Sequence, residues 1–360
     1  MNKRKKIKKG SGSVFLLFLI LIVLLKGNVC WCEEKVVHVA GWAGELGKMF
    51  TDLIGPDMEG KFGVKIVYTS GKASENLAKI QAQRKNPQID VAIVTEVVGI
   101  QGMKLGLWDP LDPKTVTNIR NMYETAIIPN HAGILWAANL FGMVYNPKVF
   151  SEKKFTLPTS YYDIFKPEYC GKVIVGPITT DYGLMALAMF AKLKGGGEKN
   201  IEPGFEIMKK LAPCILSYEK EATRVGDLFT AETGWIAPWS HAETFRMGKK
   251  GIPIKFVAPN EGTILMGNSV HMVKGCPNPK MAQEYINLLL GEKVLSAFAR
   301  IYASVPLNKT IKLPSEVAEY VPNKPEILNK AIRIDWDYVS QKREEWSERW
   351  AKEIEPIKPK

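Results

Sequence analysis

The sequence lacks the short motifs that mark the common nucleotide-binding and hydrolase loops. No Gly-x-Gly-x-x-Gly or Gly-x-x-x-x-Gly-Lys-Ser/Thr segment is present, so nothing supports a phosphate-cradling loop. The stretch that begins at Gly71 contains Gly-Lys but no upstream glycine. A Gly-x-Ser-x-Gly elbow, which presents the nucleophile in α/β-hydrolases, is also missing.

Histidine is scarce, which argues against a metal centre. Only four histidines occur, no two of them are spaced i, i+4, and none joins a cysteine pair. His38 and His271 lie within apolar segments, where a structural role is the simpler interpretation. The sequence therefore predicts a protein that is not an enzyme, with no metal and no cofactor.

The positive charge is concentrated at the amino terminus. Residues 1–32 contain seven basic residues and no acidic residue. Removing these seven from the formal net charge of +12 leaves +5 on more than 300 residues. Such a mildly basic surface does not form a phosphate-binding stripe, so we expect no nucleic-acid partner.

The amino terminus has the order of a secretion signal. A basic region, Met1 to Lys9, precedes a polar hinge and an unbroken apolar run from Val14 to Leu25. As a helix this run spans about 18 Å, short of a hydrocarbon core of about 30 Å. The pattern favours a signal peptide over residues 1–32 and a periplasmic protein. A retained membrane anchor is the alternative.

Cleavage there would leave three cysteines, Cys170, Cys214 and Cys276. An odd count leaves at least one thiol free or paired between chains. Cys170 and Cys214 both flank predicted strands, so they can pair with each other. Small buried or surface residues are the equally acceptable interpretation.

Strand-like and helix-like segments alternate along the rest of the chain, which predicts parallel sheets covered by helices. The predicted strands are Lys35–Gly41, Gly63–Thr69, Asp90–Thr95, Lys172–Pro177, Ile215–Tyr218, Trp235–Trp239, Ile252–Ala258 and Thr263–Val273. The predicted helices are Glu45–Leu53, Ser74–Arg84, Asp181–Leu193, Gly204–Leu211, Ala222–Glu232, Lys280–Leu290, Val294–Arg300 and Asp335–Ile354. No long linker separates the two sets of elements, so the chain is expected to cross between two lobes on strands.

Eight segments occur in an order that resembles a known family: FGVKIVYTSGKASENLAKIQAQ, NPQIDVAIV, GLWDPLDP, PTSYYDIFKPEYCGKVIV, GFEIMKKLAPCILSY, WIAPWSHAETF, VAPNEGTILMGNSVHMVKG and INLLLGEKVLSAFA. Together they resemble the extracellular solute-binding proteins of ABC importers, in particular the spermidine/putrescine-binding branch. The likeness runs from about Lys35 to about Trp350. It implies an α/β fold of the type II periplasmic-binding class, with two lobes, a hinge and a ligand cleft between them.

The resemblance also implies where the lobes divide. Lobe one would comprise residues 35–143 and 265–306, and lobe two residues 144–264 and 307–360. The crossings between them would lie near Met143–Tyr145 and Ile264–Met266.

Ligand residues are implied by the same resemblance. Trp42 matches a cleft aromatic, although a packing role is its alternative. Thr95 and Glu96 follow a predicted strand, and Glu96 suits either a ligand ammonium or a helix start. Tyr302 is a further candidate of lobe one.

In lobe two, Thr180, Asp181 and Tyr182 follow a predicted strand. Asp181 matches a carboxylate of the polyamine binders, while the alternative for Thr180 or Asp181 is a helix N-cap. Trp239 matches a second cleft aromatic and is followed by Ser240.

Asn268 and Ser269 lie near the return crossing. There the family's polyamine binders carry a carboxylate and an aromatic residue, whereas this chain has Asn268 and Met266. An aliphatic dication needs a carboxylate at each end and aromatic walls. This departure favours a smaller amine or an amino-acid-like solute over a long polyamine.

Taken together, these features predict a monomeric periplasmic protein that captures a small organic solute. Its partners would be the solute, a membrane permease and that permease's ATPase, and it would meet the membrane only through the permease or an uncleaved signal. The alternatives are a membrane-tethered sensing module and a ferric-ion-binding protein of the same family. The adjacent Tyr161 and Tyr162 match a structural helix of the family, so we assign them to packing.

Overall fold

The computed structural model describes residues 35–318 and 320–357. The predicted signal peptide, residues 1–32, lies outside these residues. The strands are β1 Val36–Gly41, β2 Lys65–Ser70, β3 Val91–Thr95, β4 Trp108–Asp109, β5 Ile134–Tyr145, β6 Val173–Val175, β7 Ile215–Tyr218, β8 Ile236–Ser240, β9 Lys255–Val257, β10 Ile264–Val273 and β11 Val305–Pro306.

Helices cover the sheet. They are α1 Glu45–Phe62, α2 Ala73–Ala82, α3 Glu96–Lys104, α4 Pro147–Glu152, α5 Asp181–Leu193, α6 Glu202–Leu211, α7 Ala222–Thr230, α8 His241–Lys249, α9 Pro279–Leu289, α10 Glu292–Tyr302, α11 Ser315–Ala318, α12 Pro325–Leu328 and α13 Trp336–Glu353. Short 3-10 turns lie at Thr117–Asn121, Glu124–Ala126, Pro129–His131, Tyr161–Phe165, Pro167–Tyr169 and Ala212–Cys214. Within the described part of the chain, none of the helices has the length and apolar character to cross a membrane.

All the predicted strands and helices are present, and most ends shift by a few residues. The largest difference is α1, which was predicted to end at Leu53 and continues through Pro56 to Phe62. It ends at Gly63, whose φ of 64° lies in the left-handed region that glycine adopts without a steric penalty. Burial of Ile54 and Met58 on the core side stabilises these added turns.

The sheet is mixed, with the order β2-β1-β3-β10-β5-β8-β6-β7. Strands β1, β2 and β3 are mutually parallel at one end, and β6, β7 and β8 are parallel at the other. Between these blocks lie the two long strands β10 and β5, which are antiparallel to each other and to their outer neighbours. The prediction of two parallel blocks is confirmed, and the antiparallel centre is a finding of the structure.

Strand β5 was absent from the sequence prediction. It is nearly all buried, so its sequence, ILWAANLFGMVY, lacks the apolar–polar alternation of a half-exposed strand. Its Ala-Ala-Asn and Gly residues also have low strand propensity. Pairing on both edges, with β10 and β8 among others, stabilises the strand despite these residues.

The buried side chains form distinct apolar cores. One core is built mainly from residues 37–140 and 265–328, and another mainly from residues 141–215 and 334–354. A smaller cluster around Val144 and Trp239 lies between β8, α7 and α8. The two large cores meet between Leu140 and Phe141 on β5 and between Ile264 and Leu265 on β10.

A disulfide joins Cys170 to Cys214, which decides between the two interpretations of these cysteines. It ties together the segments that lead into the parallel neighbours β6 and β7. The third cysteine, Cys276, is free and buried, and burial raises the pKa of its thiol to about 12.

Candidate functional site

The carboxyl ends of the two parallel blocks point toward each other along the central strands. Thr95, the last residue of β3, lies opposite Asn268 of β10. Ser240, the last residue of β8, lies opposite Phe141 of β5, and Phe141 in turn pairs with Ile264 of β10. The two ends are thus separated by four residues of β10, or about 13 Å along the strand. Loops that follow such strand ends are where open α/β sheets bind ligands.

The predicted site residues occupy both sides of this gap. On one side, β1 ends at Gly41 before Trp42, and β3 ends beside it in the parallel register. On the other side, β6 leads to Thr180, and β8 ends at Ser240. The floor of the gap is the segment of β10 between Leu265 and Asn268.

Trp42 and Tyr302 are the half-buried aromatic candidates assigned to the first side. The Trp42 carbonyl accepts a hydrogen bond from the Tyr68 hydroxyl at 3.2 Å, and the Trp42 side chain is half-buried. Tyr302 packs on Phe298 with ring centroids 4.9 Å apart. Burial and the nearby Glu45 raise the pKa of Tyr302. Within the described residues, neither Trp42 nor Tyr302 shares a hydrogen bond or ring contact with another predicted site residue.

Ser269 faces the interior of the first side. Its hydroxyl lies 2.8 Å from Nε2 of His271, whose Nδ1 lies 2.7 Å from the Ala132 carbonyl. This geometry fits a neutral ring that donates from Nδ1 and accepts from Ser269. Burial lowers the pKa of His271 to about 4, in keeping with the structural role predicted for it.

Glu96 begins α3 and is almost fully buried. Its Oε1 accepts a hydrogen bond from Nε of Arg333 at 2.6 Å and also contacts Nη2 of the same residue. Its Oε2 accepts from the Gly267 amide at 3.2 Å. Both carboxylate oxygens therefore already have partners within the protein.

The second side begins with a helix cap. The Thr180 hydroxyl accepts a hydrogen bond from the Gly183 amide at 3.1 Å and donates to the Pro177 carbonyl at 2.8 Å. The capping alternative proposed for Thr180 is therefore formed in the structure. Asp181, next along the chain, forms an ion pair with Arg343 of α13.

Tyr182 and Trp239 form an aromatic stack on this side. Their ring centroids are 4.1 Å apart with an interplanar angle of 21°, and Trp239 is fully buried. The Tyr182 hydroxyl lies 3.0 Å from Oγ of Ser240, which also accepts from the Glu243 amide at the start of α8. Burial raises the pKa of Tyr182 to about 12, so this hydroxyl stays protonated at neutral pH.

Sequence reasoning missed the two arginines that meet the candidate carboxylates. Arg333 precedes α13 and Arg343 lies within it, far along the chain from Glu96 and Asp181. No local spacing links residues that are more than 150 positions apart, so only the tertiary fold reveals the pairs. Phe141, which stacks with Tyr182 at 6.1 Å, was missed together with β5.

A cavity of about 670 Å³ begins at His241, directly after Ser240. It is enclosed by α8, β9 and the segment from Ile311 to Ile327, with Phe245, Phe256 and Tyr320 among its walls. None of the predicted ligand residues lines it. The facing strand ends are the candidate site, because Thr95, Asn268 and Ser240 lie there.

The described residues contain no cluster of three or more His, Cys, Asp or Glu side chains that could hold a metal ion. His241, which follows Ser240, is fully engaged. Its Nδ1 accepts from the Leu140 amide at 2.9 Å, and its Nε2 lies 2.6 Å from the Ala303 carbonyl. Burial lowers the pKa of His241 to about 4.

This fold and site define a class of two-lobed α/β binding proteins, and comparisons with known proteins agree. The structure is similar to that of an ABC transporter protein from Clostridium perfringens, with a TM-score of 0.75 and 25% identity over 88% of this chain and 99% of that one. The spermidine/putrescine-binding periplasmic protein of Salmonella typhimurium is 24% identical over 69% of this chain and 73% of its own. The putrescine-binding periplasmic protein PotF of Escherichia coli is 23% identical over 80% and 82% of the two chains.

The model of the family described as bacterial extracellular solute-binding protein matches residues 86–342, more than half of the chain. The protein therefore belongs to the bacterial extracellular solute-binding family, whose members serve ABC transporters. Both of these relatives are named as periplasmic binding proteins.

Proposed function

We propose that this protein captures a small organic solute, an amine, polyamine or amino-acid-like molecule, in the gap between its facing strand ends. It then delivers the solute to a membrane permease. The observation that supports this most directly is the opposition of Thr95 and Ser240 across four residues of β10. Two sets of strand-end loops converge on one gap, which is the arrangement that an interlobe ligand site requires.

Capture proceeds without chemistry. On β5, Leu140 packs in one apolar core and Phe141 in the other, and on β10 the same change occurs between Ile264 and Leu265. A chain that passes from one core to the other on two neighbouring strands supports a hinge at that place. A solute that touches both sides of the gap binds the closed form more tightly and shifts the hinge equilibrium toward closure. The closed form docks on the permease, and a separate ATPase drives transport.

The proposed lobes are those predicted from the sequence. Residues 311–328 add buried side chains, among them Ile311, Val317 and Leu328, to the core of residues 37–140. The predicted lobe two includes this segment, although its buried side chains pack with the first core.

We propose a periplasmic location, which is supported by the periplasmic relatives and by the disulfide. Disulfides form and persist outside the reducing cytosol, and Cys170–Cys214 is one in this chain. We propose that the basic and apolar leader directs export and that the mature protein is a monomer.

Binding of ferric ion through paired tyrosines receives no support from Tyr161 and Tyr162. The Tyr161 hydroxyl is buried and donates to the Phe141 carbonyl at 3.3 Å, while the Tyr162 hydroxyl donates to the Leu193 carbonyl at 2.7 Å. Tyr161 is buried and acts in packing, as predicted, whereas Tyr162 is exposed and makes only a local hydrogen bond through its hydroxyl.

Native mass spectrometry of the chain from Glu33 onward, purified without denaturation, tests the proposal. We expect one bound solute per chain, and a Trp42→Ala variant to bind it about tenfold or more weakly through loss of aromatic contact. Tyr162→Ala, which removes an aromatic side chain remote from the strand ends, serves as the matched control. A solute that binds Trp42→Ala and the parent chain equally would place the site elsewhere.

A further inference from the structure

The two carboxylates that best suited a ligand ammonium are both neutralised within the protein. Glu96 is paired with Arg333, and Asp181 with Arg343. These pairs differ in environment. The Glu96 side chain is only 4% exposed and that of Arg333 29%, whereas Asp181 and Arg343 are 67% and 44% exposed. Solvent screens the second pair, so the attraction within the first pair is the stronger of the two.

Arg333 lies at the edge of the gap itself. Ile332 forms backbone hydrogen bonds with Thr263 and Leu265 at the start of β10. These bonds lie on the same edge of β10 that pairs with β3 from Asn268 onward. Arg333 therefore follows beside the Met266–Gly267 segment, between Ile332 and the end of β3. Its contacts with Glu96, which itself binds the Gly267 amide, fix that position.

The guanidinium retains hydrogen-bonding capacity. Arginine has five N–H donors. Among the described residues, Nε–H and one Nη2–H contact Glu96, and one Nη1–H reaches the Thr125 carbonyl at 3.4 Å. Two N–H groups therefore have no partner there, and the partial exposure of the side chain leaves them accessible.

The pairing of Glu96 with Arg333 favours a solute carboxylate over a solute ammonium. An ammonium would meet a carboxylate that has already given both oxygens to Arg333 and Gly267. To bind Glu96, it would have to displace the guanidinium and leave that cation beside its own charge. A carboxylate meets donors that have no partner and a cation held in place by Glu96. Planar pairing of guanidinium with carboxylate is a strong and orientation-specific contact.

We propose that Arg333 binds an acid group of the solute, so that the ligand is a small carboxylate-bearing molecule of zero or negative net charge, such as an amino-acid-like zwitterion. An aliphatic diamine or triamine is excluded as the preferred ligand. Glu96 holds Arg333 in position and makes no contact with the ligand. This inference rests on the proposed function, namely that the gap between the strand ends is the solute site.

Calorimetric titration with solutes of matched length tests the assignment. The probes are α,ω-diamines, the ω-amino acids of the same carbon chain lengths, common α-amino acids and spermidine. We expect a carboxylate-bearing member to bind, and the diamine of equal length to bind at least about 30-fold more weakly. Arg333→Gln should reduce the affinity for the carboxylate about 30-fold and raise the affinity for the diamine, because Glu96 is released.

The controls separate charge recognition from folding. Arg224→Gln removes an exposed guanidinium that lies 3.9 Å from Glu219, and it should leave the preference unchanged. Arg333→Lys keeps the charge and loses the planar fork, so it should bind the carboxylate more weakly than the parent chain does. It serves as the test variant if Arg333→Gln fails to fold.

The outcomes distinguish the inference from the proposed function. Preferred binding of a diamine or of spermidine, or a folded Arg333→Gln variant with unaltered carboxylate affinity, would overturn the role of Arg333 and leave the solute-binding function intact. If no member of the panel bound, the proposed function would be contradicted together with the inference.

Discussion

Trp239 is a predicted ligand residue whose surroundings indicate a packing role. It is fully buried, and Tyr182 stacks on its ring. Tyr182 is only partly buried, so the tyrosine is the member of the stack that has contact with solvent. The resemblance implied that Trp239 contacts the ligand, whereas its surroundings indicate that it supports the ring of Tyr182. Its contact with a ligand remains a prediction.

We therefore predict that Trp239→Ala acts first on stability. Removing a buried indole should lower the free energy of unfolding by about 3–5 kcal/mol, since the cavity beneath Tyr182 cannot collapse fully. Urea unfolding measures this loss, and Trp239→Phe should lose less. An alanine variant of unchanged stability that no longer binds solute would instead make Trp239 a direct ligand contact.

Thr180 allows a similar separation of roles. Its hydroxyl caps α5, so Thr180→Ala should lower the free energy of unfolding by about 1 kcal/mol. Thr180→Ser retains the cap and should be close to the parent. Denaturant midpoints and solute affinity are to be measured on the same samples. A large change in affinity at constant stability would contradict the capping role.

The two buried histidines predict a pH dependence of stability. Burial holds the pKa values of His241 and His271 near 4, below the ordinary value near 6.5. Between these values the unfolded chain binds protons that the folded chain does not, so stability falls as the pH decreases from about 6.5 to about 4. The loss is on the order of 3 kcal/mol for each histidine.

Urea unfolding at a series of pH values tests this dependence. In His271→Gln the slope of stability against pH should be about half that of the parent, whatever the absolute stability of the variant. A parent whose stability does not change between pH 7 and pH 4 would show that these rings are accessible to protons in the folded state.

At the scale of elements, the disulfide between Cys170 and Cys214 is expected to stabilise the block of β6, β7 and β8. The two cysteines are 44 residues apart, and closing a loop of this length restricts the unfolded chain. Replacing both with serine should cost about 2–4 kcal/mol. The free Cys276 offers a matched control, because Cys276→Ser closes or opens no loop. Equal stability of the double variant and the parent would contradict this role.

The outer elements could be predicted from the sequence because local patterns define them. β-Branched runs such as KVVHVAG mark the parallel strands, and capped apolar repeats mark helices such as α5. The central strand β5 and the arginine pairs could not be predicted. Strand β5 depends on pairing along both edges, and the partners of Glu96 and Asp181 are brought near only by the folded C-terminal segment.

The same division applies to the candidate site. Trp42, Thr95 and Ser240 do lie at the ends of parallel strands, because position after a parallel strand can be inferred from sequence. Their present partners cannot be inferred, since each depends on contacts between distant segments. Glu96 and Ser269 are the clearest cases, as Arg333 and His271 occupy the groups that a ligand would have used.

At the scale of the whole molecule, two parallel blocks are joined through β5 and β10, and this connection gives the structure its functional geometry. The blocks run in opposite directions along these strands, so their carboxyl ends face each other across the first half of β10, from Ile264 to Asn268. A hinge at this place would open and close the gap without breaking either core. The position of the hinge remains a proposal.

The most direct test of this account is a crystal structure of the chain with its bound solute. The account predicts ligand density between Thr95 and Ser240, above the Met266–Asn268 segment of β10. Density in the cavity lined by Phe245, Phe256 and Tyr320, with the gap between the strand ends empty, would contradict it.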